Sequence, residues 1–149
     1  MGLDMYLYDK NHNDLGYWRK ANHIHKWFVD NVQNGVDECH PYQVSRKNLE
    51  DLLNICSKVL ADSKLVPGKV VDYYQFKNGK EVPHYIDGLV INDPSTAKEL
   101  LPVFRGFFFG SYDYDDYYYK AIAKTIKIIT EILESFDFDN NTLYYQSSW

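Results

Sequence analysis

The chain has 149 residues, 45% of them hydrophobic, which is enough for one ordinary domain with its own core. Its formal net charge of -5 argues against general nucleic-acid or anionic-membrane binding, because such binding grows with the number of cations that face phosphates. Two cysteines without a CxxC spacing are too few for a disulfide framework or a thiolate zinc site, and no segment reaches transmembrane length, so we expect a cytoplasmic protein without a cofactor.

The first half of the chain predicts one strand followed by two helices. Over the first eight residues, apolar side chains alternate with aromatic or acidic ones, which predicts a half-buried strand. After a loop at 9–15, apolar residues recur every three to four positions from Tyr17 to Val32, which predicts the first helix and assigns these residues, Tyr17 included, to its core face. The second helix is predicted to begin after Ser45, a favourable N-cap, and to extend to Leu60.

The second half predicts a hairpin, a short helix, a long helix and a final strand. Strand-like runs at 69–76 and 81–91 flank Asn78-Gly79, the dipeptide that favours a type I′ turn. A short helix is predicted between 92 and 101, a long helix from about Asp113 to Ser135, and a strand at 142–149. The fold class is therefore α+β: a small antiparallel sheet packed against three to four helices in a single domain, with the hairpin at 67–92 as a candidate insertion.

One flank of the predicted first helix carries side chains that suit a planar anion. Trp18, Asn22 and His25 lie together on the helical wheel, and Arg19 and Lys26 follow one step further round. His23 is predicted to face solvent and is left out of the candidate site. An aromatic face can stack a base, and cations can bind phosphate. The alternative is that the indole is the edge of the core, the imidazole bonds to backbone, and the cations are solvated or ion-paired.

The segment GFFFGSYDYDDYYY at 106–119 precedes the long helix and is the second candidate region. Glycine-flanked turns before helices often bind phosphate, but the aspartates at 113, 115 and 116 would repel it. We single out Asp113, which could accept ribose hydroxyls, hold a cation or act as a general base, against the alternative that these aspartates only cap the helix. The phenylalanines at 107–109 are expected in the core rather than in a ligand platform.

These two regions combine into one hypothesis, a pocket for a nucleotide-derived or phosphorylated small molecule. Its residues are Trp18, Arg19, Asn22, His25, Lys26, Tyr112, Asp113, Tyr117 and Tyr118. No motif of a known enzyme class occurs, so the first hypothesis is binding without chemistry. The alternatives are a small hydrolase or transferase with His25 or Asp113 as general base, and an inhibitor that binds a host protein through exposed tyrosines. No metal site is predicted.

Three segments resemble a known family: MGLDMYL at the start, the stretch GYWRKANHIHKWF, and GFFFGSYDYDDYY with the terminal YYQSSW. The chain is similar to a family of small proteins found in phages, prophages and bacteria. This resemblance implies a setting, that of a phage-type accessory protein in the host cytoplasm, and no site residue follows from it. In that setting, several small proteins of unrelated sequence counter bacterial immunity by sequestering nucleotide messengers or by binding a defence protein, and by analogy this favours the same ligand class. An aromatic tail that ends in Trp149 also suits pairing across a homo-oligomer.

Overall fold

The computed structural model describes residues 2–106 and 108–149, and its elements alternate between the two halves of an α+β fold. In chain order they are β1 (Asp4–Asp9), β2 (Asp14–Arg19), α1 (Asn22–Asn31), β3 (Tyr42–Val44), α2 (Arg46–Ala61), β4 (Leu65–Lys77), β5 (Lys80–Ile91), α3 (Ser95–Leu100), α4 (Asp116–Ser135) and β6 (Leu143–Ser148). The predicted α+β class is confirmed, since these described helices accompany one four-stranded and one two-stranded antiparallel sheet.

The four-stranded sheet has the order β2-β1-β6-β3, and all its pairings are antiparallel. Along β1, Met5 and Leu7 are fully buried, whereas Tyr6 and Tyr8 on the opposite face are only half-buried. The same alternation along β6 buries Tyr145. One face of the sheet therefore covers the core and the other faces solvent, as antiparallel sheets permit.

Helices α1, α2 and α4 contribute their apolar faces to the core beneath this sheet. The Ser45 hydroxyl caps α2 by accepting the backbone N–H of Asn48 at 3.1 Å, as predicted. Helix α4 begins after Asp115, whose carboxylate accepts the backbone N–H of Tyr118 at 2.9 Å. Among the described residues, no helix is both long and apolar enough to cross a bilayer.

The first helix is shorter than predicted, because its expected first turn is a strand. Tyr17, Trp18 and Arg19 belong to β2, and Lys20, with a φ of 54°, turns the chain before α1. The backbone N–H of Lys20 donates to Leu3 O at 2.7 Å, which extends the pairing of β2 with β1. The hydrogen bonds that β1 offers on this side override the helical period of the sequence.

The hairpin of β4 and β5 forms the second sheet and is joined to the body near its base. Asn78 and Gly79 both have positive φ, as a type I′ turn requires. At the base, the backbone N–H of Ile91 donates to Tyr114 O at 2.9 Å and Ile91 is buried. From Asp72 to Val82 every described residue is exposed. The outer part of the hairpin therefore projects into solvent.

Candidate functional site

The nine predicted ligand residues do not form one pocket. Because Trp18 and Arg19 lie on β2 and the other three residues of the predicted flank lie on α1, the shared helical flank is wrong. The nine separate into three kinds of surroundings. Asn22, His25 and Tyr118 are buried in the core; Lys26, Tyr112 and Asp113 lie at other parts of the surface; Trp18, Arg19 and Tyr117 line one groove.

Asn22 holds the aromatic loop in place. Its amide donates to Phe109 O at 3.1 Å and to Ser111 O at 2.8 Å, and its side-chain oxygen accepts the backbone N–H of Phe104 at 2.9 Å. The residue is 1% exposed. Because backbone groups of the loop bond both the NH₂ group and the oxygen of this side chain, Asn22 has its hydrogen-bond partners within the fold and needs no ligand.

His25 is fully buried and both of its ring nitrogens have partners. Nδ1 lies 2.6 Å from the Tyr145 hydroxyl and Nε2 lies 2.8 Å from Asp37 Oδ1, which also accepts the indole N–H of Trp149 at 3.1 Å. Burial lowers the pKa of His25, and the carboxylate of Asp37 opposes that shift. These hydrogen bonds fix the ring and join α1 to the C-terminal strand β6.

The predicted acid–base pair of His25 and Asp113 is not formed. Asp113 Oδ2 accepts the backbone N–H of Val71 at 3.0 Å, and no hydrogen bond or ion pair joins the two side chains among the described residues. Asp113 does not cap α4 either, because Asp115 does. Burial raises the pKa of the Asp115 carboxyl, and hydrogen bonds from the Tyr118 backbone and the Ser111 hydroxyl oppose that shift.

Tyr118 is buried against His23, a residue that the helical wheel placed toward solvent. The Tyr118 hydroxyl donates to Leu101 O at 2.7 Å, and its ring stacks on the imidazole with 4.0 Å between centroids. His23 is 3% exposed, so its predicted orientation is wrong. The reason is that α1 is buried on more than one face, because α4 covers the side of the helix that carries His23. Burial lowers the pKa of His23 to about 3.

The remaining predicted residues make local contacts. Lys26 pairs with Asp30 one turn later at 2.7 Å, which is the predicted alternative for that cation. The Tyr112 hydroxyl donates to Gly106 O at 2.9 Å, and Arg105 stacks on the Tyr112 ring. Of the three phenylalanines, Phe109 is in the core and Phe108 is half exposed, while Phe107 lies outside the described residues.

A groove of about 240 Å³ runs between β2 and α4 and contains the other three predicted residues. Its lining residues are Tyr17, Trp18, Arg19, Ala21, Tyr117, Lys120, Ala121 and Lys124. The buried side chains of Trp18, Ala21 and Ala121 form an apolar floor. The Trp18 indole is fixed there because its N–H donates to the Thr125 hydroxyl at 2.8 Å.

Two tyrosine rings and three cations surround this floor. Tyr17 and Tyr117 are each more than 40% exposed. Arg19 pairs with Asp4 at 2.8 Å, Lys120 is 3.3 Å from Asp116 on the same helix, and the Lys124 ammonium lies 5.7 Å from the centre of the Tyr17 ring. Exposed ion pairs of this kind contribute little to stability, so the cations can reorient toward an anion at low cost.

The backbone edge of β2 on the side away from β1 also faces this groove. Because Lys20 N–H pairs with Leu3, the alternation of an antiparallel ladder turns the backbone groups of Tyr17 and Arg19 away from β1. The Tyr117 hydroxyl donates to the carbonyl of Arg19 there. The groove thus offers hydrogen-bonding backbone groups beside its aromatic walls.

Sequence reasoning missed Tyr17, Lys120 and Lys124 as members of this groove. Tyr17 was assigned to the core through the helical period, but on β2 it lies on the solvent face. A signal for the other two was present, because Tyr117, Lys120 and Lys124 follow a spacing of three and four residues that places them on one face of α4.

A larger cavity of about 400 Å³ lies on the open face of the four-stranded sheet. Tyr6, Tyr8, His12, Asp14 and Gln146 line it with two serines, and it has no lysine or arginine. It therefore lacks the cations that an anionic ligand requires. Within the described part of the chain, no group of three His, Cys, Asp or Glu side chains could hold a metal ion.

The chain matches no family model, no curated protein and no solved structure. The resemblance to phage proteins therefore stays a prediction.

Proposed function

We propose that the protein binds a small planar anion, of the size of a mononucleotide, in the groove between β2 and α4. The observation that carries this proposal is the arrangement of two exposed tyrosine rings and three cationic side chains around one apolar floor. Aromatic faces stack nucleobases without regard to sequence, and lysine and arginine bind phosphate oxygens. Trp18, Arg19 and Tyr117 are retained from the sequence hypothesis.

The size of the groove favours a ligand with one base over a larger one. A cavity of about 240 Å³ is below the ~300–1,000 Å³ that is typical of pockets for drug-sized molecules. A single ring with one phosphate fits this space, whereas a cyclic dinucleotide or an ADP-ribose would leave its second half outside. In such a complex, the base lies against Tyr17 or Tyr117, and Lys120 and Lys124 bind the phosphate.

The lining of the groove supports retention of the ligand rather than a reaction. None of its described lining residues is a histidine, a cysteine, a serine or a carboxylic acid, so the side chains that most often act as general base or nucleophile are absent from it. In the phage-type cytoplasmic setting that the sequence resemblance implies, such retention would sequester a nucleotide signal and counter bacterial immune signalling.

The test is a thermal-shift and calorimetric screen with mononucleotides, cyclic mononucleotides, cyclic dinucleotides and ADP-ribose. A ligand present at about a hundred times its dissociation constant should stabilise the protein by about 2.7 kcal/mol. Lys124→Glu reverses a charge in the groove, and we expect it to weaken binding of the best ligand by about tenfold or more. Lys127→Glu is the matched control, because it makes the same charge change at an exposed position of α4 outside the lining.

Equal binding by the two variants would contradict the groove as the site. If no member of the panel raises the melting temperature, the ligand class is wrong. The ligand recovered after heat denaturation of the complex separates the two chemical hypotheses: an intact molecule supports sequestration, and an altered one supports a hydrolase or transferase.

A further inference from the structure

The outer part of the β4–β5 hairpin exposes four large aromatic side chains to solvent. Phe76 is 72% exposed and Tyr85 is 59% exposed, and Tyr73 and Tyr74 are each about half exposed. With rings that can each bury 150–250 Å², these four residues leave roughly 450 Å² of aromatic surface in solvent. A two-stranded hairpin is marginal by itself, since independent stability requires three or more strands. The hairpin at residues 65–91, here called the arm, is therefore a two-stranded sheet whose large aromatic side chains stay exposed to solvent.

The two backbone edges of this hairpin differ in what they can accept. In a two-residue hairpin, Lys77 and Lys80 form a hydrogen-bonded pair, so the ladder turns the backbone groups of Tyr74 and Phe76 outward on β4. The same alternation turns Pro83 outward on β5, where it lacks an N–H. The β4 edge from Tyr73 to Lys77 is thus an uninterrupted row of donors and acceptors that ends at a bulge at Asp72, and the β5 edge is interrupted at its middle.

The hairpin carries equal numbers of positive and negative side chains, so two copies of it can meet with opposite charges facing each other. Residues 65–91 contain three lysines and three acidic residues, so the whole net charge of -5 lies on the rest of the chain. Lys77 and Lys80 at the tip form no ion pair with a described residue. At the other end of the exposed edge, Asp72 and Asp113 line a groove of about 270 Å³ between β4 and the aromatic loop, where Arg105 stacks on Tyr112.

The geometry points to a second copy of this chain as the occupant of the β4 edge. Antiparallel pairing of two β4 strands about a two-fold axis at Gln75 sets Tyr74 of each copy opposite Phe76 of the other. These are the two residues whose backbone groups point outward, and their rings meet on the same face of the sheet. The result is a four-stranded sheet, which satisfies the strand requirement that one hairpin misses.

The same register also uses the charge pattern. It places Lys77 of the second copy opposite Tyr73, beside the groove that Asp72 and Asp113 line. Two such contacts are made, one at each end of the paired edge. The two acidic bodies stay apart, because the contact is confined to the hairpins, which carry no net charge, and to the rim of this groove. A standard interface buries about 800 Å² per partner. The paired edge with the rings of Tyr74 and Phe76 buries less than this, so the register predicts a weak dimer in equilibrium with the monomer.

The test is whether the full-length protein self-associates through this edge. Sedimentation velocity over a range from micromolar to millimolar concentration should show a monomer–dimer equilibrium. Tyr74→Pro removes an outward N–H and one ring from the β4 edge, and we expect it to weaken dimerisation by about tenfold or more. Tyr85→Pro is the matched control, because it removes an outward N–H and one ring from the β5 edge, and it should leave the equilibrium unchanged.

A second variant reports the register without relying on the stability of the hairpin. In a Cys39→Ser background, Gln75→Cys places two thiols in a non-hydrogen-bonded pair across the two-fold axis, where the Cα atoms lie about 4.5 Å apart, within disulfide range. Mild oxidation should give a covalent dimer. Val82→Cys, on the neighbouring strand and the same face, should not form one.

Three results would overturn this proposal. The first is a protein that stays monomeric at every concentration and forms no Gln75→Cys dimer. The second is association that is equally strong in the two proline variants or that crosslinks faster through Val82→Cys, since that would place the contact elsewhere. The third is a pure monomer whose hairpin is required to bind a different protein, which would assign the edge to a host partner.

Discussion

At the scale of single residues, the side chains that looked most like ligand groups are largely satisfied by the fold itself. Asn22 and His25 use their polar atoms within the protein, on Phe109 and Ser111 in one case and on Tyr145 and Asp37 in the other. In a sequence, a polar side chain next to aromatic residues can therefore indicate either a ligand contact or a hydrogen bond within the fold. Only the positions of loops that lie far away along the chain distinguish them.

His23 leads to a prediction of pH dependence. Its buried ring has a pKa lowered to about 3 from 6.5, and burial lowers the pKa of His25 as well. The unfolded chain takes up protons below pH 6.5 while the folded protein does not, so the folded state loses stability as pH falls from 6.5 toward 3. A histidine that stays neutral in the folded protein contributes a slope of about 1.4 kcal/mol per pH unit between its folded and unfolded pKa values, and this applies to His23.

Urea unfolding measured between pH 5 and 7 checks this expectation. His23→Leu should unfold with a shallower dependence on pH than the parent protein, because one of the two buried imidazoles is gone. His40→Gln is the control, since His40 is exposed, and it should keep the parent slope. If His23→Leu and the parent have the same slope, His23 is not held neutral in the folded protein.

At the scale of elements, the strand β2 decides where the candidate site lies. Gly16 allows this strand to approach α4 closely, because a Cβ at that position would lie 2.8 Å from Ile128 Cγ2. The groove that Tyr17 and Tyr117 border exists between the same two elements. The spacing of β2 and α4 therefore sets both the packing and the width of the proposed binding site.

Gly16→Ala tests this contact. We expect a loss of about 1–3 kcal/mol in the free energy of unfolding, because the added methyl group overlaps a branched side chain. In an Ile128→Ala background the same substitution should cost markedly less, since the overlapping Cγ2 is absent. An Ile126→Ala background should leave the cost unchanged. Equal costs in all three backgrounds, measured by urea unfolding, would show that Gly16 does not pack against Ile128.

At the scale of the whole molecule, the chain consists of a body with its own core and a hairpin arm that depends on that body. The backbone N–H of Asn92 donates to Lys64 O at 2.8 Å, so the two ends of the arm lie side by side. The arm contributes Ile91 to the core near its base, and its outer part contributes none. These features predict that the body folds without the arm.

Replacement of residues 66–90 by an Asn-Gly turn tests this expectation. The shortened protein should keep the near-ultraviolet circular dichroism of the parent and a cooperative thermal transition within about 5 °C of it, because few core contacts are lost. It should also be monomeric if the arm carries the dimer contact. A loss of cooperative unfolding would show instead that the arm is an integral part of the core.

The sequence by itself determined the elements whose patterns are local. The alternation in the first strand, the Ser45 cap of α2, the Asn78-Gly79 turn and the apolar face of α4 each depend on residues within a few positions of one another. These patterns were sufficient for the α+β class and for most of the element order. The sequence hypothesis also included Trp18, Arg19 and Tyr117, which line the groove between β2 and α4. The first two were predicted to lie on the first helix, but α1 does not begin until Asn22.

The path of residues 17–19 and the hydrogen-bond partners of the buried polar side chains depend on the tertiary structure. Tyr17 to Arg19 follow a helical period, but β1 provides a row of backbone partners, and the free energy of that pairing outweighs a local preference. Asn22 reaches Phe109, and His25 reaches Tyr145, across long stretches of chain. No periodic pattern encodes such contacts, because they depend on how the packed elements lie in space. The groove between β2 and α4 is a product of that packing.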